Sequence, residues 1–233
     1  MKTICKLFLL LILTTNLSKA QDTLYIYKAH EILFKQPITD IDSLSFKKST
    51  SSTVKDIDGN VYHTVVIGNQ TWMVENLKTT KYNDGTEIPL VTNTWQNLIT
   101  PGYCWYNNSD TFYKNTYGAL YNWYAINTGK LCPIGWHVPS YPERNILVNF
   151  LGGVAFAGDK LKANNFKALM GGYRYVDGKF YSLGQLGCWW TSSSTTNGTT
   201  NASNLPISIV MGQYIQDFEA DKKNGYSVRC VKD

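Results

Sequence analysis

Histidine is scarce in this sequence of 233 residues, which has three: His30, His63 and His137. The sequence also lacks a Gly-x-Ser-x-Gly motif, a His-Glu-x-x-His motif and a phosphate-binding loop, by which many hydrolases, metalloproteases and nucleotide-binding enzymes are recognised. The four cysteines after residue 100 are far apart, whereas a zinc site usually draws on closely spaced pairs. We therefore expect no metal, no cofactor and no catalytic centre.

A strong charge of either sign is absent as well. Lysine and arginine total 22, aspartate and glutamate total 17, and the formal net charge is +5. Three lysines lie in the first 20 residues, which contain no acid, so the remaining chain carries +2. The longest basic clusters are the pairs Lys47-Lys48 and Lys222-Lys223, which indicate a solvated surface. No nucleic-acid partner is expected.

One short apolar run, residues 7–13, stands near the N-terminus. Lys2 and Lys6 precede it, and Ser18-Lys-Ala20 supplies small residues at the −3 and −1 positions of a cleavage site. This pattern is typical of a secretory signal peptide, and its apolar part is too short to span a bilayer. We expect residues 1–20 to be removed and the mature chain to be exported, to the periplasm, the cell surface or the exterior, without a membrane span.

The mature chain keeps four cysteines: Cys104, Cys132, Cys188 and Cys230. An even number of cysteines in an exported protein favours disulfides. Four cysteines allow three pairings, and their spacing alone does not choose among them.

Two segments that differ in composition follow the expected signal peptide. Residues 21–53 contain short aromatic and β-branched runs at 24–28 and 31–35, with a third strand expected at 40–46 and a Ser/Thr-rich linker after it. This segment predicts a small β-meander. Residues 54–233 then form the main domain.

The main domain mixes two helices with many short strands. We expect a hairpin of residues 61–67 with 71–76, a helix over 117–126, and a second helix that begins at the capping box of Ser140 and Glu143. Later, an Asp-Gly turn predicts a hairpin of 171–175 with 179–183. The pattern is that of an α+β domain.

Six ordered blocks resemble a known family. They are Val65-Val-Ile-Gly-Asn-Gln-Thr-Trp-Met-Val-Glu-Asn-Leu-Lys78, Tyr117-Gly-Ala-Leu-Tyr-Asn-Trp-Tyr124, Cys132-Pro-Ile-Gly-Trp-His-Val-Pro139, Gly171-Gly-Tyr-Arg174, Trp189-Trp-Thr-Ser-Ser193 and Gly225-Tyr-Ser-Val-Arg-Cys230. In this order they resemble the Fibrobacter succinogenes major paralogous domain family over about residues 54–233.

The resemblance implies a C-type-lectin-like fold, similar to that of the formylglycine-generating enzymes. It implies a disulfide between Cys132 and Cys230, and with it a second one between Cys104 and Cys188. The formylglycine-generating enzymes rely on a closely spaced cysteine pair, and Cys188 has no such partner here. An oxidase of that type is therefore the least favoured function.

The favoured function is a non-catalytic binding module for a glycan or a surface protein, and the alternative is a structural or adhesive surface protein. The Ser/Thr/Asn loop 192–204 contains no acid, so no lectin-type calcium site is expected. Aromatic rings beside this loop can stack on sugars. The candidate ligand-binding residues are Trp190, Tyr173, Arg174, Asn197 and Asn201, although Arg174 stands beside predicted core, which favours a structural role.

Overall fold

Short strands joined by turns make up most of the regular structure. The structure, a computed structural model, describes residues 23–28, 31–37, 52–163, 165–195, 203–204, 207–209, 214–217 and 220–233. Within these residues the strands are β1 (Thr23–Lys28), β2 (Glu31–Pro37), β3 (Thr53–Lys55), β4 (Val61–Ile67), β5 (Gln70–Met73), β6 (Tyr103–Trp105), β7 (Ala119–Tyr121), β8 (Trp136–His137), β9 (Gly171–Arg174), β10 (Phe180–Leu183), β11 (Gly187–Trp189), β12 (Ser194–Thr195), β13 (Ser203–Asn204), β14 (Ile207–Ile209), β15 (Ile215–Asp217) and β16 (Val231–Lys232).

Four α-helices occur in the same described residues. They are α1 (Asp110–Tyr117), α2 (Trp123–Ile126), α3 (Tyr141–Phe150) and α4 (Ala157–Ala163). Single 3₁₀ turns cover Trp95–Asn97 and Tyr106–Asn108. The mixed α+β class is confirmed, while the expected number of two helices is wrong.

The chain divides into two compact units, Met1–Ser49 and Thr50–Asp233. In the first unit β1 and β2 form an antiparallel pair whose register shifts between Ile26 and Tyr27. The third strand expected at 40–46 lies outside the described residues.

Two five-stranded sheets form the frame of the second unit. One has the order β3-β4-β5-β16-β8 and is antiparallel. The other has the order β10-β9-β11-β14-β15, in which only β9 and β11 run parallel. The last strand of the chain therefore lies between β5 and β8, and the C-terminus is built into the first sheet.

The prediction of one helix over residues 117–126 is wrong. Helix α1 ends at Gly118, whose φ of 74° leaves the helical region, and β7 follows at once. A Cβ at this position would stand 2.7 Å from the carbonyl oxygen of Leu77, so the close approach of two chain segments requires glycine here. Asn122 then starts the short helix α2 by accepting a hydrogen bond from the amide of Ala125.

Helix α3 begins where the sequence predicts. The hydroxyl of Ser140 accepts from the amide of Glu143, and the Glu143 carboxylate accepts from the amide of Ser140 at 2.8 Å. Pro142 occupies the first turn, where a missing N–H costs little. The apolar side of α3 packs with α4 and with Trp72 of the first sheet in one buried cluster.

Aromatic residues fill much of the interior. Tyr62, Tyr121, Trp190 and Tyr226 are fully or almost fully buried in one large cluster, and Trp95 is fully buried in a smaller cluster with Cys104. Burial of each such side chain contributes roughly 1.5–3 kcal/mol. The largest rings therefore serve the core, which leaves few of them for a ligand.

Candidate functional site

The disulfide between Cys132 and Cys230 is confirmed. Their sulfur atoms are bonded at 2.01 Å, with the Cα atoms 6.1 Å apart. Cys230 directly precedes β16, and Cys132 lies in the segment that leads to β8, the neighbour of β16 in the sheet. The bridge therefore ties the end of the chain to its middle.

The second expected disulfide, between Cys104 and Cys188, is wrong. Both cysteines are free and buried. Cys104 lies on β6 and packs with Trp95 and Leu120, whereas Cys188 lies on β11 in a different apolar cluster. Burial raises the pKa of each thiol to about 12, so both stay protonated at neutral pH.

The assignment of Trp190 to a ligand site is wrong. Its side chain is 0% exposed, its indole N–H donates to the carbonyl oxygen of Tyr121 at 2.6 Å, and its ring contacts Tyr226. Trp189 points to the other side and is buried as well, with its indole N–H donating to Asn76 Oδ1 at 2.8 Å. Both indoles are therefore buried in the core, on opposite sides of the chain at the end of β11.

Arg174 is also not available to a ligand. It is 3% exposed, and its guanidinium donates to the carbonyl oxygens of Gly178, Val91 and Thr92 at 2.7–3.0 Å. The guanidinium carbon lies 4.5 Å from the ring centroid of Trp95 and 4.8 Å from that of Phe180. Arg174 therefore anchors the β9–β10 hairpin to the segment around Val91.

A second buried arginine lies beside a small apolar cavity. Arg229 donates through Nε to Asn76 Oδ1 at 2.8 Å and through its other nitrogens to the carbonyl oxygens of Phe166 and Lys167. Burial lowers the pKa of Arg229 to about 9. The cavity is lined by Trp72, Pro139, Leu147, Leu161, Phe166, Trp189, Trp190 and Arg229. Its lining belongs to the core, and Arg229 is engaged on every nitrogen.

Tyr173 does lie at an aromatic surface. It pairs with Tyr181 across the β9–β10 hairpin, so the two side chains share one face. Their ring centroids are 5.8 Å apart with an interplanar angle of 30°. Tyr175, two residues further along, contacts both rings at nearly right angles, 77° and 86°. We call Tyr173, Tyr175 and Tyr181 the tyrosine face.

The tyrosine face is open to solvent on one side and supported by the core on the other. Tyr175 is 44% exposed and Tyr181 37%, while Tyr173 is half-buried and contacts the buried ring of Tyr226 at 5.7 Å. Opposite this face, Arg174 lies over the ring of Trp95, and Phe180 packs against the buried cluster that contains Trp95. The alternation of the two strands thus separates an anchoring side from an exposed side.

The turn of the hairpin adds polar groups to the tyrosine face. Asp177 accepts from the amide of Lys179 and from the hydroxyl of Tyr181, both at 2.8 Å. These hydrogen bonds lower the pKa of Asp177, which stays ionised. Glycine is required at position 172, because its φ is +64° and a Cβ there would collide with the carbonyl oxygen of Tyr181.

Sequence reasoning missed Tyr175, Asp177 and Tyr181, although the signal was present. The Asp-Gly turn predicts the hairpin, which is confirmed, and side chains two apart on a strand share a face. Placing Tyr173 across from Tyr181 would have assembled the three rings.

The other two candidates, Asn197 and Asn201, lie outside the described residues. The short strands β12 and β13 on either side of them pair antiparallel, with Ser194 opposite Asn204.

His137 lies between two carboxylates. Its Nδ1 is 2.6 Å from Asp233 Oδ1, and its Nε2 is 2.8 Å from Glu143 Oε1. Burial acts to lower the pKa of His137, but the hydrogen bonds to Asp233 and Glu143 outweigh it and raise the pKa above 6.5. This arrangement joins the last residue to the first turn of α3, and Ser140 donates to the carboxylate of Glu143 rather than to the imidazole.

Among the residues that the structure describes, no cluster of three or more His, Cys, Asp or Glu side chains is placed to hold a metal ion. Nor does any helix in that part of the chain have the length and apolar character needed to cross a membrane.

Comparison with known proteins finds one family. The model of the family described as Fibrobacter succinogenes major domain matches residues 65–232. No curated protein and no solved structure matches the chain.

Proposed function

The chain belongs to the Fibrobacter succinogenes major domain family, and we propose that it is an exported, non-catalytic binding module that contacts a glycan or a protein through its tyrosine face. The exposure of Tyr175 and Tyr181 beside Tyr173 carries this proposal. More than a third of the surface of each of these two tyrosines is exposed to water. When a ligand covers such a ring, apolar surface is removed from water, which favours binding.

The anchoring of the hairpin supports the same function. Arg174 holds the reverse side of the hairpin through charge-assisted hydrogen bonds to three carbonyl oxygens. A rigid support reduces the entropy that is lost when a ligand binds. The three rings therefore keep their mutual orientation before the ligand arrives.

The state of the free cysteines supports a function without thiol chemistry. A nucleophilic cysteine needs an accessible thiolate, which a low pKa and partial exposure provide. Cys104 and Cys188 are 0% and 1% exposed, and burial raises the pKa of both to about 12. These properties argue against an oxidase of the formylglycine-generating type.

We propose a C-type-lectin-like scaffold for this module and an oxidising compartment for its action. The Cys132–Cys230 bridge, which ties the segment before α3 to the last strand, agrees with the arrangement that the family resemblance implies. A disulfide is favoured outside the cytosol, which agrees with the signal-peptide pattern of residues 1–20.

A double variant tests the proposed function. Tyr175→Ala with Tyr181→Ala removes two exposed rings, and Phe112→Ala, at a position that is 75% exposed on α1, is the matched control. Wild-type and control proteins should bind a component of a glycan array or of solubilised cell-surface protein, and the double variant should lose that binding. If the wild type binds nothing, the scaffold alternative replaces the proposal. If the double variant binds as wild type does, the tyrosine face is not the binding site and the proposal fails.

A further inference from the structure

On the basis of the proposed function, we infer that the ligand of the tyrosine face is an uncharged carbohydrate, bound by stacking of a pyranose ring on Tyr173 and Tyr181 with Tyr175 as a side wall. The inference rests on the angles between the rings, on the polar groups at their rim and on the charge balance of the hairpin. Each of these favours a sugar over other ligands of aromatic surfaces.

The ring geometry matches a flat ligand. The rings of Tyr173 and Tyr181 are inclined by only 30° to each other, with their centroids 5.8 Å apart, so the two ring faces have similar orientations. One side of a pyranose presents C–H groups, whose positive hydrogens are attracted to the electron-rich face of an aromatic ring. The ring of Tyr175 stands at 77° to that of Tyr173 and at 86° to that of Tyr181, so it would limit the ligand on one edge.

The rim supplies hydrogen-bonding groups of both kinds. The carboxylate of Asp177 accepts one hydrogen bond at each oxygen, which leaves acceptor capacity for sugar hydroxyls. The hydroxyls of Tyr173 and Tyr175 make no hydrogen bond within the described residues and can both donate and accept. A sugar hydroxyl also does both, so it can be satisfied at this rim.

The charges at the hairpin favour a neutral ligand. Asp177 is ionised. Lys179, two residues further along, is exposed and lies opposite Tyr175, because the amide of Tyr175 donates to the carbonyl oxygen of Lys179. One negative and one positive group beside the rings give neither an anionic nor a cationic ligand a net advantage.

Two other ligand classes fit this surface less well. A peptide anchor residue is normally held in a desolvated pocket, whereas Tyr175 and Tyr181 form an open surface. A quaternary ammonium group is held among ring faces that surround it, but Tyr173 and Tyr181 contact each other and leave no space between them.

The test uses the full-length protein on an array of neutral hexose oligosaccharides beside sialylated and sulfated glycans, followed by calorimetric titration of the strongest neutral binder. Tyr181→Ala should weaken binding about tenfold through loss of the stacking surface. Tyr181→Phe keeps the ring and should cost about threefold. Asp177→Asn keeps a hydrogen-bond acceptor without the charge and should also lower the affinity about threefold or less. Because the ligand is neutral, added salt should have little effect on the affinity.

Phe112→Ala serves as the exposed aromatic control, and a thermal melt of each variant checks that the fold is retained. Selective binding of sialylated or sulfated glycans, or of choline with a large loss on Asp177→Asn, would overturn the ligand class. Tyrosine-dependent capture of a protein with no neutral glycan bound would overturn the ligand class but leave the proposed function standing. Binding to any ligand that is insensitive to Tyr175→Ala and Tyr181→Ala would overturn both.

Discussion

The imidazole of His137 bonds to the side chain of Asp233, the last residue, with Nδ1 and Oδ1 2.6 Å apart. The other ring nitrogen faces Glu143, so the protonated ring can donate to both carboxylates at once. A neutral imidazole has one N–H and must give up one of these two hydrogen bonds.

This arrangement predicts a pH dependence of stability. The pKa of His137 is raised above 6.5 in the folded protein, so its contribution is fully present below pH 6.5 and is lost as the pH rises through the folded pKa. Burial acts to raise the pKa of Glu143, but the hydrogen bonds from Ser140 and His137 outweigh it and lower this pKa below 4.5. The contribution of Glu143 is therefore fully present above pH 4.5 and is lost as the pH falls through the folded pKa.

The measurement is the melting temperature of wild type and His137→Gln across this range. Because the groups are partly exposed, the variant should lose about 1 kcal/mol or less at pH 5.5, which corresponds to about 2–4 °C. The difference should shrink at alkaline pH. His63→Gln is the control, since His63 pairs with Glu75 on an exposed surface. A difference that grows with rising pH would contradict the arrangement.

Thiol titration distinguishes one disulfide from two. Mature protein prepared without residues 1–20, and therefore without Cys5, should not react with a thiol reagent while it is folded, since Cys104 and Cys188 are buried. After unfolding without reduction it should show two thiols. Cys188→Ala should reduce that number to one. Unfolded protein without free thiols would mean that Cys104 and Cys188 are bridged after all.

Loss of the Cys132–Cys230 bridge should be costly. The bridge spans a sequence separation of 98 residues, and Cys132→Ser with Cys230→Ser should lower the free energy of unfolding by about 4 kcal/mol, mainly through the unfolded chain. Urea unfolding under non-reducing conditions measures it, with the Cys188→Ala protein as the control. An unchanged midpoint would show that the bridge contributes little.

Replacement of Arg174 should make the tyrosine face more mobile, although Arg174 is not one of its residues. Arg174→Lys keeps the charge but loses the fork of donors and the stacking between Trp95 and Phe180, and should cost about 2–4 kcal/mol. Urea unfolding gives the stability, and hydrogen exchange of residues 171–183 should report faster opening. Lys179→Ala, on the exposed part of the same hairpin, should change neither. Equal protection in Arg174→Lys would refute the anchoring role.

Asn76 connects two buried donors. Its Oδ1 accepts from Trp189 Nε1 and from Arg229 Nε, both at 2.8 Å, and its amide donates to the carbonyl oxygen of Tyr117. Asn76→Ala leaves these groups without partners and should lower the free energy of unfolding by about 2–5 kcal/mol. Urea unfolding measures it, with the exposed Asn97→Ala as control. A loss comparable with that of the control would mean that water replaces the amide.

Local signals in the sequence predicted some elements well. The capping box of Ser140 and Glu143 starts α3, and the Asp-Gly turn joins β9 to β10, because both depend on groups close together in the chain. The helix expected over 117–126 failed for the opposite reason. Its apolar spacing is helical, but the contact of Gly118 with Leu77, far away in sequence, ends α1 and starts a strand.

The site shows the same division. Trp190 and Arg174 were candidates for contact with a ligand, although a structural role was favoured for Arg174, since aromatic and cationic residues bind ligands as readily as they pack. Their neighbours Tyr121, Tyr226 and Trp95 come from other parts of the chain, and these contacts bury both residues. Exposure depends on which segments cover a strand, and strand spacing alone does not show this.

The sequence by itself determined the family, the mixed α+β class, the start of α3 and the hairpin that places Tyr173, Tyr175 and Tyr181 on one face. The family resemblance predicted the bridge between Cys132 and Cys230, and only the tertiary structure decided that Cys104 and Cys188 stay apart, because a disulfide requires two distant cysteines to meet within bonding distance. It also decided which aromatic rings remain in water, since that depends on the long-range packing that covers Trp189 and Trp190 and leaves Tyr175 and Tyr181 exposed.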